Sequence, residues 1–226
     1  MPLFYQQHIN QHTRLAIWKI EESEAYFAST VPLQRNITHP HKRLQHLAGR
    51  HLLRYLFPDF PYQEILIADT RKPYLENEAY HFSISHCGDY AAAIVSKTER
   101  VGIDIEIPSD KILKIAHKFT TEAERLEVRS TRYEVGSKNL EVRGTNYEVE
   151  KEQEAINQLT LIWCAKETMF KWYGLGKVDF IEMLQLKSIT ENNVIAAAMV
   201  TPKKTIELNI HYQMLHPLVL TFIHSL

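Results

Sequence analysis

Residues 101–107 read VGIDIEI. Branched aliphatic side chains fill every other position, Val101, Ile103, Ile105 and Ile107. Successive side chains of a strand point to opposite faces, so this segment is expected to lie as a strand with one apolar face against a core. The opposite face then carries Gly102, Asp104 and Glu106. Two carboxylates two residues apart sit roughly 7 Å from each other at the backbone, near enough to converge on one hard cation. By itself the pattern also describes the more ordinary case, an amphipathic strand with a solvated acidic face.

The flanking sequence decides what this strand joins. Upstream come RKPYL (71–75), HFSISH (81–86), a turn at Cys87-Gly88-Asp89 and the run Tyr90–Ser96. These read as a β-hairpin with Phe82 and Ile84 toward a core and Ser83 and Ser85 facing away. Residues 14–20 form a further strand, and Ser23 opens a short helix. From Lys42 to Phe57, Leu44, Leu47, Ala48, Leu52, Tyr55 and Leu56 follow the helical repeat until Pro58 stops it. That helix sets Arg43, Arg50 and Arg54 beside its buried face. There they either cover the rim of a core or meet a phosphorylated ligand or an acidic partner.

Downstream, a helix is expected over about Ser109–Phe119 and a longer amphipathic one over about Gln153–Tyr173, ended by Gly174 and Gly176. Strands follow near Met183–Ile189, Ile195–Val200, Thr205–Tyr212 and Leu218–Ile223. Strands and helices alternate irregularly, so the expected class is α+β. Between the two helices, residues 126–139 and 140–153 are near-duplicates that agree at eight of their first ten positions. Two copies are too few for a solenoid, so about 126–151 reads as an insertion, a polar hairpin or mobile loop on the surface.

Composition removes several function classes. Lys and Arg number 26 against 27 Asp and Glu, which leaves no bulk positive field for nucleic acid. No apolar run is long enough for a signal peptide or a membrane span, and with only Cys87 and Cys164 a reducing cytoplasm is expected. Neither cysteine has metal-ligand spacing, so both read as packing residues. His39, His41, His46 and His51 crowd one segment without the i, i+4 spacing that would set two imidazoles on one helical face.

Two further segments carry chemistry. In LIWCAKETMFKWYG (161–174), Trp163, Glu167 and Lys171 recur every four residues as one helical stripe, while Ile162, Met169 and Phe170 turn inward with Leu159. Glu167 and Lys171 could be only a surface ion pair worth about 0.3–0.5 kcal/mol. Lys166 falls among the inward residues, where its ammonium requires a partner. In the hairpin, Ser85 and His86 stand where a strand enters a turn, and Pro73 holds Lys72 in extended chain. Both placements suit phosphate oxygens.

In order and spacing, RKP, SISH, GIDIE and WCAKETMFK resemble the signature of the 4'-phosphopantetheinyl transferases of the Sfp type, which are holo-acyl-carrier-protein synthase-like. The resemblance runs from about Arg43 to Gly176. It implies two similar α+β halves related by pseudo-twofold symmetry, 1–98 and 99–226, with the active site in the cleft between them. It implies that Asp104, Glu106 and Glu167 bind Mg²⁺, that Lys171 and His86 contact the coenzyme A pyrophosphate, and that Lys72 and Ser85 help hold the nucleotide. Arg43 and Arg50 match the family only loosely, and Arg71 stands where the family often has glycine before the lysine. Glu167 would also accept a proton from the acceptor serine, with Lys171 beside it at the reacting phosphate. The implied reaction moves phosphopantetheine from coenzyme A to a serine of an apo carrier protein and releases adenosine 3',5'-bisphosphate, by a cytoplasmic monomer without nucleic-acid or membrane partners. The same acids would equally serve a Mg²⁺-dependent phosphohydrolase. A coenzyme A-binding module without catalysis gives no reason for three converging carboxylates.

Overall fold

The structure, a computed structural model, describes residues 2–31, 33, 36–126, 145–190 and 192–225. It divides into two compact units. One comprises Met1–Ile105, Lys171–Gly176 and Phe222–Leu226, and the other Glu106–Phe170 and Lys177–Thr221.

In the first unit, strands β1 (Leu3–His8), β2 (Thr13–Lys19), β5 (His81–Cys87) and β6 (Tyr90–Ser96) form an antiparallel sheet of order β1-β2-β6-β5. Strands β3 (Ile65–Ile67) and β4 (Pro73–Leu75) make a separate two-stranded ribbon. Helix α1 (Glu24–Ala28) is short, and helix α2 (Pro40–Leu56) covers the sheet. Its buried Leu47, Ala48, Leu52, Leu53 and Leu56 share a core with Ala16, Trp18, Ala91, Ala93 and Val95. The α2 periodicity read from the sequence therefore marks its buried stripe, except at Tyr55, which is 39% exposed.

The expected hairpin is present, with Ser85 opposite Ala92 and His86 opposite Ala91. Its outward serines are a correction: Ser83 and Ser85 are only 4% and 5% exposed. The cause is β7 (Arg100–Glu106), whose Ile103 and Ile105 backbone N–H groups donate to Ser83 Oγ and Ser85 Oγ at 3.2 and 3.3 Å. Strand β5 is the edge of its sheet, and its serine hydroxyls supply acceptors along that edge.

In the second unit, α3 (Lys111–Ile115) runs into a 3₁₀ turn over Ala116–Lys118, and residues 122–126 are helical. Helix α4 (Thr145–Tyr173) starts earlier than its apolar repeat suggests. Residues 145–151, read as the end of a polar loop, are the opening of this helix, while the expectation for 127–144 lies outside the described residues. Ile156, Leu159 and Ile162 of α4 pack with Ile112, Ala116 and Phe119. Strands β8 (Leu184–Thr190), β9 (Val194–Val200), β10 (Thr205–Leu215) and β11 (Leu218–Ser225) complete the α+β fold. The second sheet has the order β7-β11-β10-β9-β8.

Candidate active site

Asp104 sits on the β7 face that the alternation assigned to polar residues, but that face is not solvated, and Asp104 is 3% exposed. Burial of a carboxylate requires partners. Lys171 Nζ and Ser85 Oγ both donate to Asp104 Oδ1 at 2.6 Å. The other oxygen, Oδ2, is buried with no hydrogen-bond partner among the described residues. Ser85 thus accepts from the β7 backbone and donates to the β7 carboxylate, which fixes the plane of Asp104.

His86, the next residue of β5, has an exposed surface. Desolvation by the protein around its ring holds its pKa below the ordinary histidine value, and the Lys171 ammonium pushes the same way against the pull of Asp104. Lys72 Nζ donates to the backbone carbonyls of Lys171 at 2.5 Å and Trp172 at 3.5 Å. Its pKa is lowered to about 8 by burial first and then by the Arg100 charge.

Two of the three arginines of α2, Arg43 and Arg50, are engaged within the protein. Arg43 Nε donates to Glu24 Oε2 at 2.8 Å and Nη1 to the Ile37 carbonyl at 3.0 Å. Arg50, 4% exposed, hydrogen-bonds the Tyr62 side chain.

In the second unit, Trp163 Nε1 donates to Glu106 Oε1 at 3.0 Å. The indole is held edge-on to Phe119 and stacked on Phe180, with centroids 5.0 and 5.5 Å apart. It therefore orients Glu106 from a rigid platform. Glu167 follows Trp163 by one turn of α4, and both Glu106 and Glu167 are half-buried. Lys166 is fully buried and does have the partner its position demands. Its Nζ lies 2.8 Å from Glu124 Oε1 and 2.9 Å from Oε2, and it donates to the Phe180 carbonyl at 2.8 Å. Glu124 also accepts from the backbone N–H groups of Thr121 and Leu186 at 2.9 and 3.0 Å. Sequence reasoning missed Glu124, although T-x-x-E over residues 121–124 is a capping-box signal. The box forms, with Glu124 N donating to Thr121 Oγ1 at 3.1 Å.

Among the described residues, no three of His, Cys, Asp and Glu gather closely enough to hold a metal by themselves. Mg²⁺ does not require such a cage. It is typically held by one or two carboxylates, with substrate phosphates and water completing the octahedron. The buried, partnerless Oδ2 of Asp104 fits that kind of ligand.

Residues 100–223, more than half of the chain, match the family model described as the 4'-phosphopantetheinyl transferase superfamily. The chain belongs to this superfamily. Asp104, Glu106, Glu167 and Lys171 all fall inside the matched superfamily segment, whereas Lys72, Ser85 and His86 precede it. A Haemophilus influenzae protein named "Putative 4'-phosphopantetheinyl transferase" is 27% identical over 145 residues, 62% of this chain and 53% of that protein. "Enterobactin synthase component D" of Escherichia coli strain K12 is 41% identical over 66 residues, 29% of this chain and 31% of that protein. This superfamily member thus aligns with about half or less of the length of these relatives. Among its described residues, no helix is long and apolar enough to cross a membrane.

Proposed function

We propose that this chain transfers the 4'-phosphopantetheine arm of coenzyme A to a serine of an apo acyl or peptidyl carrier protein, in a Mg²⁺-dependent reaction. The observation that carries the reading is Asp104: a buried carboxylate with one oxygen tied to Lys171 and Ser85 and the other without a partner among the described residues. Membership of the superfamily supports it.

Asp104, Glu106 and Glu167, which close no cage by themselves, would hold Mg²⁺ with substrate phosphate and water completing its shell, and the ion would neutralise charge on the phosphoryl oxygens. Lys171, held by its bond to Asp104, would present its ammonium to the diphosphate. His86, whose pKa the surrounding protein holds down, would gain a hydrogen-bonding role as an anion approaches. Glu167 accepts the proton of the carrier serine as its oxygen bonds to the pantetheine-bearing phosphorus. The bond from that phosphorus to the bridging oxygen breaks, and adenosine 3',5'-bisphosphate leaves with the electron pair. Fixed donors aimed at the phosphoryl group favour this because charge develops there in the transition state. Ser85 acts through Asp104, and the protein-internal contacts of Arg43 and Arg50 leave them outside the proposed contact set. The enzyme is expected to work in the cytoplasm as a monomer.

Incubation with coenzyme A, Mg²⁺ and an apo carrier, followed by intact mass measurement of the carrier, tests the proposal. A phosphopantetheine mass gain that chelator abolishes is expected. Consumption of coenzyme A with no change in carrier mass would indicate a phosphohydrolase and overturn it.

A further inference from the structure

The last four carbonyls of an α-helix have no partner within the helix. At the end of α4 the protein supplies three of them, and the carbonyl of the next residue, from elsewhere in the first unit. Lys72 Nζ donates to the carbonyls of Lys171 and Trp172, Arg100 Nη2 donates to that of Tyr173, and Thr70 Oγ1 donates to that of Gly174 at 3.1 Å. Four consecutive carbonyls are met by three side chains, two of them cationic. Cations are favourable at this end of a helix because the aligned peptide dipoles leave it negative.

Two glycines make room for these contacts. Gly174 has φ +72°, and a Cβ there would lie 2.7 Å from Lys72 Cδ and 2.9 Å from its Nζ. Gly176 has φ +69°, and a Cβ there would lie 2.9 Å from Thr70 Cγ2. Each glycine is therefore required both by its backbone and by the side chain that crosses it. Arg100 is braced as well, its guanidinium carbon standing 4.9 Å over the Trp172 ring.

We infer that Lys72, with Arg100 and Thr70, clamps the end of α4 and so positions Lys171, serving the reaction through the Lys171 backbone rather than by touching coenzyme A. The inference deepens the proposed function and rests on its reading of Lys171. The geometry favours positioning over direct contact. The Lys72 ammonium is committed to two carbonyls, one belonging to Lys171 itself, and the Lys171 side chain reaches Asp104 from that same anchored residue. Two of the three ammonium N–H donors are already spent on these carbonyls, which leaves at most one for a phosphate oxygen. Displacing a reacting group by about 1 Å can cost about 10²-fold in rate, so loosening one turn is enough to matter.

The test compares Lys72→Met and Arg100→Gln, each alone and combined with Lys171→Ala, by transfer kinetics and by hydrogen exchange of peptides spanning residues 168–176. Clamping predicts that either substitution lowers kcat at least about tenfold, leaves KM for coenzyme A within about twofold, and costs nothing further when Lys171 is already alanine. It also predicts faster exchange confined to the last turn of α4. A raised KM for coenzyme A on Lys72→Met, of the same size with and without Lys171, overturns the inference in favour of direct contact. Unchanged exchange in the last turn overturns it too. If Lys72→Met does not fold, Arg100→Gln carries both readouts. If the unsubstituted protein transfers nothing to any carrier, the functional reading fails, and exchange still decides the clamp.

Discussion

The Lys171 ammonium and the Ser85 hydroxyl donate to the same oxygen of Asp104, each at 2.6 Å. Neither the plane of the carboxylate nor the choice of its remaining oxygen is then left to chance. Asp104→Asn preserves an acceptor for both donors and replaces only the partnerless Oδ2. It should melt within a few degrees of the unsubstituted protein yet lose about 10²-fold or more in Mg²⁺-dependent transfer. Asp104→Ala should lose stability as well, because it strands Lys171 and leaves a gap at a buried position. Thermal melts and single-turnover rates separate the two. Near-normal transfer by the Asn variant would remove Asp104 from the metal set.

Glu167 is half-buried on α4, one turn from Trp163 and one turn from Lys171. Glu167→Gln keeps its shape but cannot take a proton and is a poorer ligand for a hard cation. Transfer should fall by about 10²–10⁴-fold while coenzyme A affinity changes little. Calorimetry set beside single-turnover kinetics checks this, and an unchanged rate would leave Glu167 a helix-surface residue.

Lys166 and Glu124 make a buried ion pair in which every contact is reciprocated. Desolvation lowers the Lys166 pKa and Glu124 opposes the shift. Removing one partner leaves an unpaired buried charge, so Glu124→Ala should destabilise by about 3–5 kcal/mol. Glu124→Leu with Lys166→Met should recover most of that loss. Urea denaturation of Glu124→Ala, of Glu124→Leu and Lys166→Met singly and of the double variant measures both effects, and additive losses in the double variant would contradict the pairing.

What the sequence made legible was periodic. The alternation of β7, the stripe on α4 and the buried face of α2 each follow from spacing, and Lys166 declared its need for a partner by lying among apolar residues. What stayed hidden was which distant segment covers a given face. Alternation in β5 assigns Ser83 and Ser85 to one side of their strand, but the position of β7 against that side is a tertiary fact. Lys72 could be read as extended chain before a proline, with nothing local to show that its ammonium ends on carbonyls 99 and 100 residues away. Strands β1 and β3 lack an alternating pattern, and the polar start of α4 was masked by the duplicated sequence. A single cut near residue 98 is a linear description, whereas the first unit gathers segments from three parts of the chain.

Glu99 accepts hydrogen bonds from Thr13 Oγ1, from Asn10 Nδ2 at 2.9 Å and from His224 Nδ1 at 2.9 Å. Desolvation is the largest single influence and raises its pKa. The bonds to His224, Thr13 and Asn10 together outweigh it and bring the pKa to about 2. The folded-state value lies below the unfolded one, so the stabilisation is complete above about 4.5 and is lost as pH falls toward about 2. Glu99→Gln should therefore lower stability by about 1–3 kcal/mol at pH 7 and flatten the acid limb of the stability profile. Urea midpoints measured between pH 2.5 and 7 check this, with parallel profiles for the two proteins counting against it.

Helix α3 follows β7 in the chain and presents a basic surface. Lys111, Lys114 and Lys118 are exposed, while Ile112, Ala116 and Phe119 are 8%, 6% and 1% exposed and packed in the core of the second unit. Ile112 and Phe119 turn inward on the helix expected there, although it tightens to 3₁₀ geometry at Ala116. Lys111 and Lys114 are three residues apart on α3 and so share a face. An acidic carrier protein approaching this face would be drawn by charge complementarity, which acts mainly on the association rate and is screened over about 8–10 Å at physiological salt. The core contacts of α3 involve neither lysine, so reversing their charge should leave the fold intact. Lys111→Glu combined with Lys114→Glu should raise KM for the carrier about tenfold at low ionic strength, weaken its salt dependence and leave KM for coenzyme A nearly unchanged. Initial rates measured against carrier concentration across a series of salt concentrations give all three quantities. If the double variant modifies the carrier as efficiently as the unsubstituted enzyme at low salt, the carrier docks on another surface. If KM for coenzyme A rises in step, the two lysines belong to the nucleotide site instead.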